Sequence, residues 1–150
     1  MHVVLYQPEI PQNTGSIARL CAATATPLHL VRPLGFEITD KHLKRAGLDY
    51  WPHVDVRMHD SWERFLARHG GERLLFFSKK AARSYTDARY GEQDFLVFGP
   101  ETRGLPEGLL AVEAERAFRI PMMTAAVRSL NLSNAVSIVV YEGLRQLGHV

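Results

Sequence analysis

Residues 95–106 read FLVFGPETRGLP and indicate the architecture of the chain. The first four residues are apolar without alternation, which is typical of a strand buried on both faces of a parallel sheet. The eight residues that follow hold two glycines and two prolines, so the chain turns sharply where the strand ends. Ligands bind in the loops beyond the carboxyl ends of such strands, and this loop is therefore a candidate site.

Short apolar runs of the same kind alternate with helical patterns along the rest of the chain. Strands are predicted at residues 3–6, 28–31, 54–56, 74–77, 95–98 and 118–120. Helices are predicted after the first strand, with Asn13 or Thr14 as cap, then at 40–48, from 62 to about 70, and at 131–147. This alternation predicts an α/β fold, a mostly parallel sheet flanked by helices, in one domain over residues 1–150.

Composition excludes several classes of protein. The 150 residues are 46% hydrophobic and 23% charged, as in an ordinary globular protein. No apolar run approaches the roughly 20 residues that cross a bilayer, and no basic segment precedes an apolar one at the start, so we expect neither membrane attachment nor a signal peptide. The single cysteine, Cys21, fits the reducing cytosol and predicts a cytoplasmic protein.

Several common chemistries find little support in the motifs. The seven histidines show no spacing typical of a zinc site, so we expect no metal. We expect His29, inside a strand, and Cys21, on an apolar helix face, to be packed in the core. The sequence contains no Walker loop, dinucleotide fingerprint or hydrolase nucleophile elbow. Glu9 and Glu101 are candidates for paired acid–base work, with a separation that the sequence leaves open.

Three loops carry more polar and special residues than connections require. Residues 7–15 lead into a helix with Asn13 and Arg19, and form either a rigid capped turn or a loop that presents both side chains to an anion. Residues 99–106 form either a tight turn or a backbone that approaches a ligand closely. Residues 121–135 crowd four polar side chains at the start of a helix that needs one cap, which suggests that some serve a ligand.

Positive charge is concentrated in the first part of the chain. Residues 1–91 are net positive and residues 92–150 net negative, although the whole chain carries only +2. A basic face attracts a polyanion, but a solvated charged surface is the simpler interpretation, since chains that wrap nucleic acid are usually more basic. The candidate phosphate contacts lie in two clusters: Lys41, Lys44 and Arg45, then Lys79, Lys80 and Arg83.

The three loops together resemble a known family. The segments PEIPQNTGSIARLCAAT, FGPETRGLP and RIPMMTAAVRSLNLSNAVSIVVYEGLRQLG are similar to motifs of the SPOUT class of RNA methyltransferases, and the resemblance covers essentially the whole chain. It is greatest to the small YibK-type members, which methylate the ribose 2′-oxygen of the tRNA wobble nucleotide, a cytidine or modified uridine. It implies a C-terminal deep trefoil knot, S-adenosylmethionine (AdoMet) as cofactor, tRNA as substrate and a homodimer. A last helix apolar on more than one face agrees with a dimer.

The resemblance also implies roles for particular residues. Arg19, with Asn13 six residues before it, would act at the reacting ribose. Because guanidinium stays charged in proteins, we expect Arg19 to hold phosphate and stabilise the developing alkoxide rather than to act as a base. AdoMet would be contacted by Phe77, Gly99, Ile120, Ser129 and Leu130.

Two alternatives to this function stay open at the level of sequence. The first is 2′-O-methylation at another tRNA site or at an rRNA site. The second is a non-catalytic module that binds RNA or AdoMet on the same fold, because a fold does not fix an activity. The presence of both Asn13 and Arg19 argues against the second alternative, since a binding module need not keep a reactive-site arginine.

Overall fold

The computed structural model describes residues 1–39, 41, 45 and 48–150, with residues 48 and 49 in backbone only. Seven strands lie in this part of the chain: β1 (His2–Tyr6), β2 (Leu28–Val31), β3 (Val56–His59), β4 (Leu74–Phe77), β5 (Arg83–Ser84), β6 (Phe95–Phe98) and β7 (Ala117–Arg119). They form one sheet in the order β3-β2-β1-β6-β4-β7-β5. Every pairing is parallel, so the predicted α/β class is confirmed.

Helices cover both faces of the sheet. On one face, α1 (Pro11–Thr24) and α4 (Leu132–Gln146) pack against strand residues such as Val3, Leu30 and Leu96. On the other face, α2 (Trp62–His69) and α3 (Glu107–Val112) pack against the alternate strand residues. Successive side chains of a strand point to opposite faces of the sheet, so an apolar strand contributes side chains to the core on each face. None of the helices described is long and apolar enough to span a bilayer.

The predicted strands agree with the observed ones where the sequence is wholly apolar. β2, β4 and β6 begin and end as predicted, and β1 and β7 each begin one residue early. The strand predicted at 54–56 instead spans Val56–His59, because it pairs residue for residue with β2, from Leu28↔Val56 to Val31↔His59. β5 and α3 are too short for periodicity to reveal. The helix predicted at 40–48 falls mostly outside the described residues.

The predicted cap of α1 is wrong. The helix begins at Pro11, a favourable first residue because its missing N–H would have no helical partner anyway. Ile10 stands at the cap position, and no side chain of the helix caps it. Asn13 and Thr14 instead lie within the first turn and are buried. The Thr14 hydroxyl has no hydrogen-bond partner among the described residues, and Asn13 turns toward two other loops.

The two residues that we assigned to the core are there. His29 and Cys21 are at most 1% exposed. Burial raises the pKa of the Cys21 thiol to about 12, so it stays protonated and unreactive at neutral pH. Cys21 is therefore a small apolar residue between α1 and the sheet.

Candidate functional site

A cavity of about 700 Å³ opens at the carboxyl edge of the sheet, beyond β4, β6 and β7. This volume lies within the range of small-molecule sites. Segments 77–80, 98–104 and 120–135 supply most of its lining, together with Ile10 and Asn13. The structure brings together at this cavity all five residues predicted to contact a cofactor, Phe77, Gly99, Ile120, Ser129 and Leu130.

The loop after β6 can take its shape only because of its glycines. A Cβ added to Gly99 would lie 2.3 Å from the backbone nitrogen of Leu105 and 2.4 Å from the carbonyl carbon of Gly104. Gly104 has a φ of +67°, in the left-handed region that favours glycine. The loop therefore folds back on itself directly above β6, which brings backbone to the cavity wall.

The carboxylate of Glu101 joins this loop to the start of α1. It accepts hydrogen bonds from the backbone N–H groups of Glu9, at 2.8 Å, and Ile10, at 3.0 Å. It also accepts one from the side-chain amide of Asn13, at 3.3 Å. Negative charge at a helix N-terminus is favourable, so this contact replaces the missing side-chain cap of α1.

Glu9 makes the reciprocal contact. Its carboxylate accepts hydrogen bonds from the backbone N–H of Thr102, at 3.1 Å, and from the Thr102 hydroxyl, at 2.8 Å. Both carboxylates thus hold the two loops together, and this engagement accounts for them without acid–base work. We call the reciprocal contacts of Glu9 and Glu101 the carboxylate latch.

Asn13 extends the connection to the third loop. Its side-chain oxygen accepts a hydrogen bond from Nδ2 of Asn131 at 2.9 Å. The Asn131 side-chain oxygen in turn caps α4 by accepting from the N–H groups of Ser133 and Asn134. One of the four polar residues at this helix start is therefore the cap. Glu101, Asn13 and Asn131 form a chain of hydrogen bonds across all three loops.

The third loop offers backbone groups to the cavity. The N–H groups of Ser129 and Leu130 donate no hydrogen bond to protein within the described part of the chain. Nζ of Lys79 donates to the carbonyl oxygen of Arg128 at 3.1 Å and so holds this loop against the end of β4. Free backbone groups beside an apolar wall that contains Phe77 and Ile120 fit a ligand with a flat ring and polar edges.

Arg19 does not line this cavity. It is exposed on α1, and its guanidinium carbon lies 4.9 Å from the ring centroid of Tyr50, within cation–π distance. Six residues along an α-helix advance about 9 Å and leave the side chains of Asn13 and Arg19 about 120° apart. The two residues assigned to the reacting ribose thus point in different directions within one chain.

The predicted phosphate contacts differ in whether their side chains already bond to other groups of the protein. Lys79 and Lys80 border the cavity, and Lys80 pairs with Glu107 at 2.7 Å. Arg83 is engaged elsewhere, donating to the carbonyl oxygen of Glu115 at 2.7 Å and lying over the Phe118 ring. Lys41 and Arg45 are exposed, and Lys44 lies outside the described residues.

Two arginines that border the cavity were missed from sequence. Arg103 borders the cavity and donates from Nη2 to the side-chain oxygen of Gln7 at 3.0 Å, and Arg128 lies on the opposite loop. The signal available was their position, because each is the arginine of a motif loop. Charge clustering did not single them out, since both lie in the net-negative part of the chain.

Comparison with known proteins identifies the family. The SpoU rRNA Methylase family matches residues 1–141 of the chain. The chain belongs to this family. The tRNA (cytidine(34)-2′-O)-methyltransferase of Escherichia coli K12 is 49% identical to this chain over 150 residues, which cover 99% of this chain and 95% of that protein.

Solved structures agree with the SpoU assignment. One, described as structural insights into the 2-OH methylation of C/U34 on tRNA, has a TM-score of 0.92 and 55% identity, and the match covers 99% of this chain and 97% of that one. The AdoMet-bound rRNA methyltransferase of Sinorhizobium meliloti has a TM-score of 0.84 and 27% identity, covering 97% of this chain and 56% of that one. The RNA methyltransferase family predicted from the motif loops, and its α/β sheet, are therefore confirmed.

Proposed function

We propose that this protein transfers a methyl group from AdoMet to the ribose 2′-oxygen of the wobble nucleotide of tRNA, a cytidine or modified uridine at position 34. The observation that carries the proposal is the cavity at the carboxyl edge, which gathers all five residues implied to contact the cofactor. Relatives about half identical over nearly their full length, named tRNA (cytidine(34)-2′-O)-methyltransferases, support the substrate.

The cavity residues fit AdoMet by their chemistry. Backbone groups of Gly99, Ile120, Ser129 and Leu130 would hold the adenine and methionine parts, and Phe77 would pack against the cofactor. Bound AdoMet would supply an electrophilic methyl group on its sulfonium. The protein's contribution is then to place the ribose hydroxyl in line with that methyl group and to exclude other arrangements, which supplies a large part of such rate enhancements.

A second copy of the chain would complete the site. Arg19 points away from the cavity of its own chain, so we include in the proposal a homodimer in which Arg19 of one protomer reaches the cavity of its partner. There it would hold a phosphate next to the reacting ribose and stabilise the developing alkoxide. Asn13 would position the loops through its bonds to Glu101 and Asn131.

The proposal includes the trefoil knot at the C-terminal end of the chain. The resemblance implies that the cofactor would lie in the knot. The segments that would form it are the loops after β6 and β7, which border the cavity, and α4, which follows them. The likeness in fold to SpoU structures over 97% or more of this chain supports this part of the proposal.

The test is methyl transfer from labelled AdoMet to total tRNA, followed by digestion and identification of the modified nucleosides. We expect a 2′-O-methylated pyrimidine at position 34. Arg19→Ala should abolish transfer while leaving the affinity for AdoMet intact, and Arg64→Ala, an exposed arginine on α2, should change neither. Equal loss of transfer and of AdoMet binding in Arg19→Ala would contradict the assigned role.

A second candidate substrate is rRNA, because the matching family is described by its rRNA methylases. The same assay with rRNA in place of tRNA would identify this activity. A protein that binds AdoMet and tRNA without transfer to either RNA would instead be a non-catalytic module on the same fold.

A further inference from the structure

Four histidines gather on the face of the sheet that α2 covers, apart from the cavity. His2, His29 and His59 come from the neighbouring strands β1, β2 and β3, and His69 reaches them from the end of α2. None of the four borders the cavity. The fold brings them together from distant positions, which is why their spacing in sequence predicts no metal site.

The imidazole nitrogens are close enough to share one ion. One ring nitrogen from each of His29, His59 and His69 lies within 4.8 Å of the other two. Nδ1 of His29 is 2.9 Å from Nε2 of His59. Zn²⁺ holds nitrogen ligands at about 2.0–2.1 Å, so two ligands of a tetrahedral ion stand roughly 3.3 Å apart. His69 is half-buried at a helix end, so rotation of its side chain would shorten the distance from its nitrogen to those of the other two histidines.

The surroundings keep these rings neutral. His29 is fully buried and His59 is 4% exposed, and the rings of Phe65 and Phe95 pack against the cluster. Burial lowers the pKa of all three histidines, that of His29 to about 3. Neutral imidazole is the form that binds metal ions.

His2 adds the contact that a metal-binding histidine usually has. Its Nδ1 lies 3.1 Å from Nε2 of His29, and its ring stacks on Phe95 at 4.3 Å. A histidine that binds metal through one nitrogen donates its other N–H to a neighbour. If Nε2–H of His29 donates to His2, Nδ1 of His29 faces His59 with a free lone pair.

Charged groups of both signs surround the cluster. Asp60 and Glu72 favour a cation there, whereas Arg57 and Arg68 oppose it, as their effects on the pKa values of His59 and His69 indicate. Arg57 is itself paired with Asp55 at 2.6 Å, which reduces its repulsion of a nearby ion. Three nitrogens without thiolate or carboxylate form a donor set typical of zinc.

We propose that His29, His59 and His69 form a Zn²⁺ site, with one position left to solvent, that fastens β2 and β3 to α2. Because the cluster lies apart from the cavity, the ion would join these elements and take no part in methyl transfer. The site does not depend on the proposed methyltransferase activity.

The test uses full-length protein freed of metal by a chelator and titrated with ZnCl₂ in a calorimeter. We expect one ion per chain and a higher Tm with zinc, because an ion that binds only the folded state stabilises it. Co²⁺ in place of zinc should give the visible absorption of a tetrahedral site. His69→Ala and His59→Gln should weaken Zn²⁺ binding roughly tenfold or more, and His2→Ala roughly tenfold.

His53→Ala is the matched control, because His53 is exposed and outside the cluster. Its Zn²⁺ affinity should equal that of the unmodified protein. Circular dichroism checks that each variant folds. If His59→Gln unfolds because His59 is buried, His69→Ala still tests the site. Absence of zinc binding, or equal affinity in His69→Ala and the control, would overturn the site and leave only a hydrogen-bonded stack of histidines.

Discussion

At the scale of single residues, the Glu101 carboxylate connects two of the loops that border the cavity. One carboxylate serves two backbone N–H groups and the Asn13 amide. Glutamine at this position would keep one oxygen acceptor but turn an amide N–H₂ toward N–H donors. A polar group left without its partner costs about 1–3 kcal/mol, so the substitution disturbs both the start of α1 and the loop after β6.

We therefore expect Glu101→Gln to lower the free energy of unfolding by about 1–3 kcal/mol and to reduce methyl transfer sharply. Denaturant unfolding and the transfer assay measure the two effects. Glu107→Gln is the control, because Glu107 is exposed and, among the residues that the structure describes, its one ion pair is with Lys80. Should the two variants behave alike, the carboxylate latch would have no special role.

Cys21 gives a prediction about pH. Burial raises the pKa of its thiol from 9.0 to about 12. Between these values the unfolded chain loses a proton that the native chain keeps, so this group lowers stability as pH rises above about 9. The difference in unfolding free energy between the unmodified protein and Cys21→Ala, measured against pH, isolates this contribution. The difference changes by at most about 1.4 kcal/mol for each pH unit. Parallel curves of unfolding free energy against pH for the two proteins would contradict it.

At the scale of elements, the loop after β6 is fixed by lack of space. The atoms nearest to a Cβ at Gly99 belong to the backbone, which yields less readily than a flexible side chain. We expect Gly99→Ala to lower the free energy of unfolding by about 1–3 kcal/mol, as overpacking does, and to weaken AdoMet binding.

Gly108→Ala provides the comparison for Gly99→Ala. Gly108 lies in α3 with nothing within 4 Å of an added Cβ, so alanine there should leave stability unchanged or raise it by about 0.4–1 kcal/mol. Thermal unfolding of the two variants measures the difference. If Gly99→Ala were as stable as Gly108→Ala, the loop after β6 would have room for a side chain at position 99, contrary to this prediction.

The elements also show what the sequence can predict. The bounds of strands β2, β4 and β6 were predicted to the residue, because a short run of apolar residues is typical of a strand buried on both faces of a parallel sheet. The cap of α1 was mispredicted because its substitute, Glu101, lies 88 positions from Asn13. The histidine cluster was missed for the same reason. Local patterns report elements, whereas contacts between distant loops depend on strand order.

At the scale of the whole molecule, the proposed function has Arg19 of one protomer act at the cavity of its partner, because Arg19 does not line the cavity of its own chain. Arg19→Ala keeps its cavity, and Leu130→Trp, which puts a bulkier side chain into the cavity, keeps its arginine. We expect each variant alone to be inactive. Dissociated and reassembled together, they should regain part of the activity, because one site of each mixed dimer combines an intact cavity with the other protomer's Arg19.

This reassembly result distinguishes the two possible arrangements. If Arg19 acted on the cavity of its own chain, every site in a mixed dimer would keep one defect and activity would stay absent. Methyl transfer by the mixture, compared with the two unmixed variants at the same total concentration, measures the outcome. Sedimentation would show in parallel that the variants still associate.

The hydrogen bond between Asn13 and Asn131 spans 118 positions of sequence. A ribosome making this chain delivers the first partner early and the second only after β7 has emerged. Until then the nascent protein has a growing sheet and no finished cavity. The cavity is therefore complete only after residues 120–135 have been made, late in the synthesis of the chain.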